Sequence, residues 1–169
     1  FQTKAESYDG STWTEGPDIN TARYNAENGA GTSTAAIYFA GYNGSNLDVS
    51  EEWNGTTWSE GNDYPTIARD LTGCGIQTAA LGMGGYNPGL SHLAVTNKTE
   101  EYDGSSWTET NNMGTARYSG YGCGTQTAGL ATGGTATSGV ASLLNEEYNG
   151  STWTEAGDIS TGHGWGVMA

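Results

Sequence analysis

Glu101-Tyr102-Asp103-Gly104-Ser105-Ser106-Trp107-Thr108-Glu109 decides the fold, because the chain repeats this stretch. It recurs as Ser7-Tyr8-Asp9-Gly10-Ser11-Thr12-Trp13-Thr14-Glu15 and as Glu52-Trp53-Asn54-Gly55-Thr56-Thr57-Trp58-Ser59-Glu60. A last copy runs Glu147-Tyr148-Asn149-Gly150-Ser151-Thr152-Trp153-Thr154-Glu155. The tryptophans of successive copies are 45, 49 and 46 residues apart. An Asn-Gly or Asp-Gly pair between aromatic and β-branched residues is a strong hairpin signal. The expected turn is type I′, with positive φ at both central residues. Tyr102 and Trp107 then lie on two antiparallel strands, facing each other across the turn.

Further blocks travel with each copy. Thr21-Ala22-Arg23, Ile67-Ala68-Arg69 and Thr115-Ala116-Arg117 align, with Thr161-Gly162-His163 a decayed equivalent. An apolar stretch ending in glycine follows, over residues 34–41, 78–85 and 127–134. Ala79-Ala80-Leu81-Gly82-Met83-Gly84-Gly85 reads as a buried strand whose small residues let another backbone approach. The glycine-rich segment 118–124 reads as one more strand. Four short antiparallel strands per unit of about 46 residues describe a propeller blade. The repeats divide the chain near 1–20, 21–65, 66–114, 115–160 and 161–169, within a single domain or a piece of one. The first segment supplies two strands and the last supplies one. The ring is therefore expected to be larger than these repeats, or completed by another chain, because end repeats otherwise leave faces uncovered.

Composition supports an all-β reading. The 169 residues include 28 glycines and only 3 prolines, and 19 acids against 5 bases give a net charge of −14. Glycine lacks the every-third spacing of collagen. Poor helix formers dominate, which disfavours a helical bundle. High charge and low hydrophobicity point towards disorder, but 6 tryptophans and 10 tyrosines can supply a core from few positions. A strongly acidic chain without a Lys/Arg cluster is a poor partner for nucleic acid. No apolar run is long enough for a membrane-spanning helix.

The order basic residue, glycine-rich strand, apolar strand ending in Gly-Gly, then tyrosine and a downstream tryptophan resembles the kelch repeat. The best copy runs from Arg69 through Gly84-Gly85 to Tyr102 and Trp107. The resemblance covers essentially the whole chain and implies a kelch-like β-propeller of four-stranded antiparallel blades. The gap between tyrosine and tryptophan is shorter than usual for the family. Ala40-Gly41 stands for one glycine pair, and Trp53 for one tyrosine. The Asn-Gly-Ser/Thr-Ser/Thr-Trp style is also similar to kelch-like repeats of phage tail-fibre and virion proteins.

Function has to come from a site. Tyr8, Trp13, Arg23, Trp53, Trp58, Arg69, Tyr102, Trp107, Arg117, Tyr148 and Trp153 read as structural anchors copied around the ring. The tryptophans could form a sugar-stacking set, but a ligand seldom needs the same contact in every repeat. The repeat arginines are expected to pair with a repeat glutamate such as Glu101 or Glu147, rather than converge on a carboxylate ligand. Cys74 and Cys123, repeat-equivalent, read as buried free thiols acting as small apolar residues. Trp165 breaks the pattern and reads as an edge or interface residue. Copper-oxidase chemistry on a kelch ring needs histidine ligands, and His92 and His163 have no ligand spacing. No catalytic residue, metal or cofactor is therefore expected. Sequons at Asn43, Asn54, Asn97 and Asn149 have meaning only on a eukaryotic secretory route.

The leading expectation is a non-enzymatic structural or adhesion module of a virion fibre or other extracellular appendage. Its partner is a protein, or another copy that completes or extends the ring. The alternative is a glycan-binding propeller, with a cell-surface glycan held by the variable loops over residues 42–48, 86–95 and 135–141. Tyr42, Asn43, Tyr86, Asn87 and His92 are the candidate binding residues there. An oxidase is the least favoured reading.

Overall fold

The computed structural model describes residues 1–24, 28–87, 89 and 94–164. Every regular element among them is a strand. β1 (Glu6–Tyr8) and β2 (Trp13–Glu15) form a lone hairpin. β3 (Gly29–Thr32), β4 (Ala35–Tyr42), β5 (Asn46–Trp53) and β6 (Trp58–Glu60) form an antiparallel meander. β7 (Thr72–Ile76), β8 (Ala79–Met83), β9 (Thr99–Tyr102) and β10 (Trp107–Glu109) form another. The remaining elements are β11 (Arg117–Tyr118), β12 (Tyr121–Thr125), β13 (Ala128–Thr132), β14 (Thr135–Ala136), β15 (Asn145–Tyr148) and β16 (Trp153–Ala156). β12-β13-β15-β16 make the third four-stranded sheet, while β11 pairs with β14 as a short ribbon. The architecture is propeller-like: all-β, with successive four-stranded antiparallel sheets.

The repeated hairpin forms with the expected facing pairs, Tyr8↔Trp13, Trp53↔Trp58, Tyr102↔Trp107 and Tyr148↔Trp153. The turn chemistry differs from expectation. Asp103 Oδ1 accepts the backbone N–H groups of Ser105 and Ser106, both at 2.8 Å. Asn54 and Asn149 do the same for their own turns. This is an Asx turn in a four-residue loop. Positive φ occurs at the glycines (Gly55 +90°, Gly104 +91°) and not at the Asn or Asp before them. The carboxylate collects donors without neighbouring charge, which holds the Asp103 pKa down at about 2.

The glycine-rich strands lie side by side, with β7 between β3 and β12. A Cβ on Gly73 would sit 2.8 Å from the Gly29 carbonyl oxygen, so a side chain there would separate neighbouring sheets. The glycine-rich segment 118–124 is not one strand. It breaks at Ser119, whose φ of +50° ends β11 and redirects the chain into β12.

Each later sheet packs onto the one before it through three recurring contacts. Trp107 packs at a tilt on Phe39 and edge-on against Tyr64, and donates its indole N–H to Ser50 Oγ at 3.2 Å. Trp153 likewise donates to Thr99 Oγ1 at 3.0 Å. Tyr102 donates its hydroxyl to Glu52, and Tyr148 donates to Glu101 at 2.8 Å. Gln77, in the β7–β8 turn, donates to the carbonyls of Ala36 and Trp53, and Gln126 repeats this on Ala80 and Tyr102.

Two of the three repeat arginines are buried anchors. Arg23 donates to Glu51 and to the carbonyls of Ala40 and Val49. Arg117 donates to Glu146 and to the carbonyls of Gly133 and Leu144. The partner is thus the first glutamate of each pair, where Glu101 or Glu147 was expected. The same glutamates cap the preceding bend, Glu51 through the N–H groups of Asn20 and Thr21. A buried charge so fully partnered is tolerated, although removing one partner strands the other.

Arg69 departs from the set. Eight residues run from Gly16 to Arg23 and from Thr110 to Arg117, but nine from Gly61 to Arg69, with Pro65 as the extra one. The backbone slips by one position. Gly41 donates its N–H to the Ala68 carbonyl, as Gly85 does to that of Arg117. Ala68 therefore occupies the anchor position, and Arg69 takes the place of Tyr24 and Tyr118. Glu100 is satisfied instead by the hydroxyls of Tyr64 and Thr66. Burial pushes its pKa up.

The lone hairpin contrasts with the others. Tyr8 and Trp13 are 50% and 68% exposed, where Tyr102 and Trp107 are 1% and 8%. The cysteines are free, but only Cys74 is buried; Cys123 is exposed, correcting the expectation for it. Burial pushes the Cys74 thiol up to about 11.

Candidate functional site

The strand pairs at the ends of β4 and β8 shape one rim of the molecule. The turn after β8 needs positive φ at Gly84 and Gly85 (+67° and +114°), and Ala40 and Gly41 hold the same conformation after Phe39. Gly84 also meets the Arg117 carbonyl, which a Cβ would approach to 2.5 Å. These turns deliver Tyr42 and Tyr86 to the loop end of their sheets. There Tyr42 bridges Tyr24, and Tyr86 bridges Arg69 through reciprocal backbone hydrogen bonds of 2.7 and 3.1 Å. Tyr118 meets Thr135 in the equivalent place.

The side chains form one row along this rim. Phe1 stacks on Tyr24 with centroids 5.6 Å apart, and Tyr24 meets Tyr42 edge-on at 5.3 Å. The Arg69 guanidinium carbon lies 4.5 Å from the Tyr42 ring centroid and 4.9 Å from that of Tyr86. Tyr86 then meets Tyr118 at 5.5 Å. A guanidinium over an aromatic face gains about 0.5–1 kcal/mol where water remains close. Phe1 and Tyr24 are exposed, and the other members are partly exposed.

The charge at the centre of the row is unusual for this chain. Lys4 and Lys98 hold Glu15 and Glu109 at 2.5 and 2.6 Å, and Arg23 and Arg117 are buried against carboxylates. Arg69 has its nearest ion-pair contact, with Asp70, at 3.5 Å. It presents a partly exposed cation on an acidic molecule.

The structure brings Tyr42 and Tyr86 of the candidate set together through Arg69. Asn43 and Asn87 do not join the row. Each turns its amide oxygen onto its own loop, accepting from Ser45 at 3.4 Å and Gly89 at 2.9 Å. His92 and Trp165 lie outside the described residues. His163 is exposed and lines a shallow cavity of about 470 Å³ with Tyr121, Thr132 and Ile159. Phe1, Tyr24, Arg69 and Tyr118 were not singled out as binding residues. The nine-residue spacing up to Arg69 was the available signal for its change of role. Among the described residues, no three of His, Cys, Asp and Glu come together in a way that could hold a metal ion.

No family model matches the chain, and no curated protein does. Solved structures do match. A structure of YjhT superposes with a TM-score of 0.72 at 14% sequence identity, covering 92% of this chain and 52% of that one. The chain thus spans about half the length of the structure that it matches. At this identity the likeness speaks for the fold alone, and it supports the propeller-like architecture.

Proposed function

We propose that the chain is a non-catalytic attachment module, a kelch-like propeller or part of one, carried by a virion fibre or another extracellular appendage. The observation that carries this reading is the row Phe1, Tyr24, Tyr42, Arg69, Tyr86 and Tyr118 on the loop rim. Aromatic rings and arginine are the side chains most enriched where proteins bind others. Tyr42 and Tyr86 stand here where the most variable loops begin, and Tyr24, Arg69 and Tyr118 lie on the backbone segments beside them, at one repeat position that carries different side chains. The partner surface is a protein in the leading reading. A cell-surface glycan is the second reading, favoured by the exposed rings of Phe1 and Tyr24.

Fluorescently labelled protein tested on a panel of bacterial cells and on a printed glycan array checks both. Attachment is expected to be lost in the triple variant Tyr42→Ala/Arg69→Ala/Tyr86→Ala, whose circular dichroism should match the parent. Cell binding that survives treatment with glycosidases identifies a protein surface, and array binding identifies a glycan. No attachment anywhere, or attachment that the triple variant retains, overturns the proposal.

A further inference from the structure

Glu51, Glu100 and Glu146 hold the same repeat position, and all three are buried. Two of them sit in cradles built for a charge. Glu51 accepts the backbone N–H groups of Asn20 and Thr21 and pairs with Arg23. Glu146 accepts those of Gly114 and Thr115 and pairs with Arg117. A backbone N–H and a guanidinium can only donate, so each cradle requires a carboxylate.

The cradle of Glu100 is of another kind. Its partners are the hydroxyls of Tyr64 and Thr66, both buried. A hydroxyl rotates to donate or to accept, so it suits a carboxylate and a carboxylic acid alike. The arginine is replaced as well. A Cβ on Gly41 would lie 3.3 Å from Arg23 Cδ, and one on Gly85, the equivalent glycine, would lie 2.9 Å from Leu71 Cγ. Leu71, fully buried, thus puts hydrocarbon where the arginine stem passes.

The other charges near Glu100 do not make up the loss. Lys98, on the same side of the sheet, holds Glu109 at 2.6 Å near the surface. Glu109 stands opposite Glu100 on β10 and adds a like charge. From β8 the facing residue is Gly82, and Phe39 and Trp107 pack on the Tyr64 ring. Glu101, next in the strand, accepts instead from Tyr148.

We propose that Glu100 is a proton-binding switch that governs how firmly segment 61–69 is held to the second full sheet. With the proton bound, the buried cluster is neutral and both hydroxyls remain bonded to it. With the proton lost, a charge stays buried without the cation that Glu51 and Glu146 keep. The segment so affected carries Tyr64 between Phe39 and Trp107, and it ends at Arg69 on the rim. Burial favours the neutral acid and raises the Glu100 pKa above the ordinary 4.5. The folded state therefore holds this proton more tightly than the unfolded one. The resulting stabilisation is complete below about pH 4.5 and is lost as the pH rises through the raised value. The inference does not rest on what the rim binds.

The test is a carboxyl-carbon NMR titration of the whole chain from about pH 3 to about pH 8, with the Glu100 signal assigned through its backbone. Its midpoint should lie above 4.5. Glu100→Gln, a neutral isostere, should melt at least about 2 °C above the parent at about pH 8, and the gap should close towards pH 4.5. Glu146→Gln strands Arg117 and should melt below the parent throughout. The Tyr64 amide, which donates to the Asp48 carbonyl, reports on the segment itself. Corrected for intrinsic exchange, its protection in the parent should fall at least about threefold between pH 5 and pH 8, and in Glu100→Gln it should not. A Glu100 midpoint at or below 4.5 overturns the proposal whether or not the variant folds. So does a Glu100→Gln variant that melts below the parent at pH 8, or Tyr64 protection that pH leaves unchanged in the parent.

Discussion

The β1–β2 and β9–β10 hairpins share one sequence pattern and meet opposite fates. Both place tyrosine across from tryptophan, and both turn on an Asp whose carboxylate caps the loop. The β9–β10 pair is buried because a complete sheet precedes it, offering Phe39, Tyr64, Ser50 and Glu52 to its rings and hydroxyl. The β1–β2 pair has no such surface among the described residues, and its rings stay in solvent. The motif therefore specifies the hairpin, and the neighbouring sheet specifies the burial. Stability in this chain belongs to the junctions more than to the repeats themselves, as in other repeat architectures.

The largest test of that contrast is a pair of truncations. Trp107→Ala should cost about 3–5 kcal/mol in urea unfolding, while Trp13→Ala should change stability by less than about 0.5 kcal/mol. Equal effects would break the comparison. The arginines sharpen it next. Arg117→Ala strands the buried Glu146 and should cost about 3–5 kcal/mol, whereas Arg69→Ala loses exposed ring contacts worth about 1 kcal/mol. Thermal melts of the two variants side by side would show it.

Smaller effects follow at the turns. Gln77→Ala should cost about 1 kcal/mol, because two partly buried carbonyls lose their donor. Ser33→Gln should leave the denaturation midpoint unchanged, because among the described residues no apolar strand pairs with the hairpin before it to receive the clamp. The smallest effect is electrostatic. The Asp103 carboxyl sits at about 2 against an ordinary 3.8, so the folded state holds its proton less tightly than the unfolded one. Its contribution is present above pH 4 or so and fades as the pH falls towards about 2. Asp103→Asn should flatten that part of the melting-temperature profile without harming the fold at neutral pH, since Asn54 and Asn149 build the same turn. Asp9→Asn should leave the global transition unmoved at any pH.

Much of the architecture was readable from the repeat. The facing aromatic pairs, the antiparallel meanders and the crowded glycine strands all follow from spacing and side-chain size. The arginine anchors were readable as ion pairs, though their partners lie one residue earlier in the strand. Arg69 was misplaced because Pro65 shifts the backbone by one, which alters which side of the chain the guanidinium leaves. The turn type was missed because a side-chain carboxylate can supply what a second positive φ would have done. The rim row was not visible, because its members come from successive repeats and join through contacts that spacing does not show, Arg69 over Tyr42 and Tyr118 beside Tyr86.

Amide hydrogen exchange, resolved by residue, tests the dependence of each hairpin on its neighbour most directly. Residues 6–8 and 13–15 should exchange at least about a hundredfold faster than residues 99–102 and 107–109, because local opening of an uncovered hairpin needs little of the global free energy. Equal protection in the two hairpins would contradict the account, since the motif alone would then be enough to bury and hold itself.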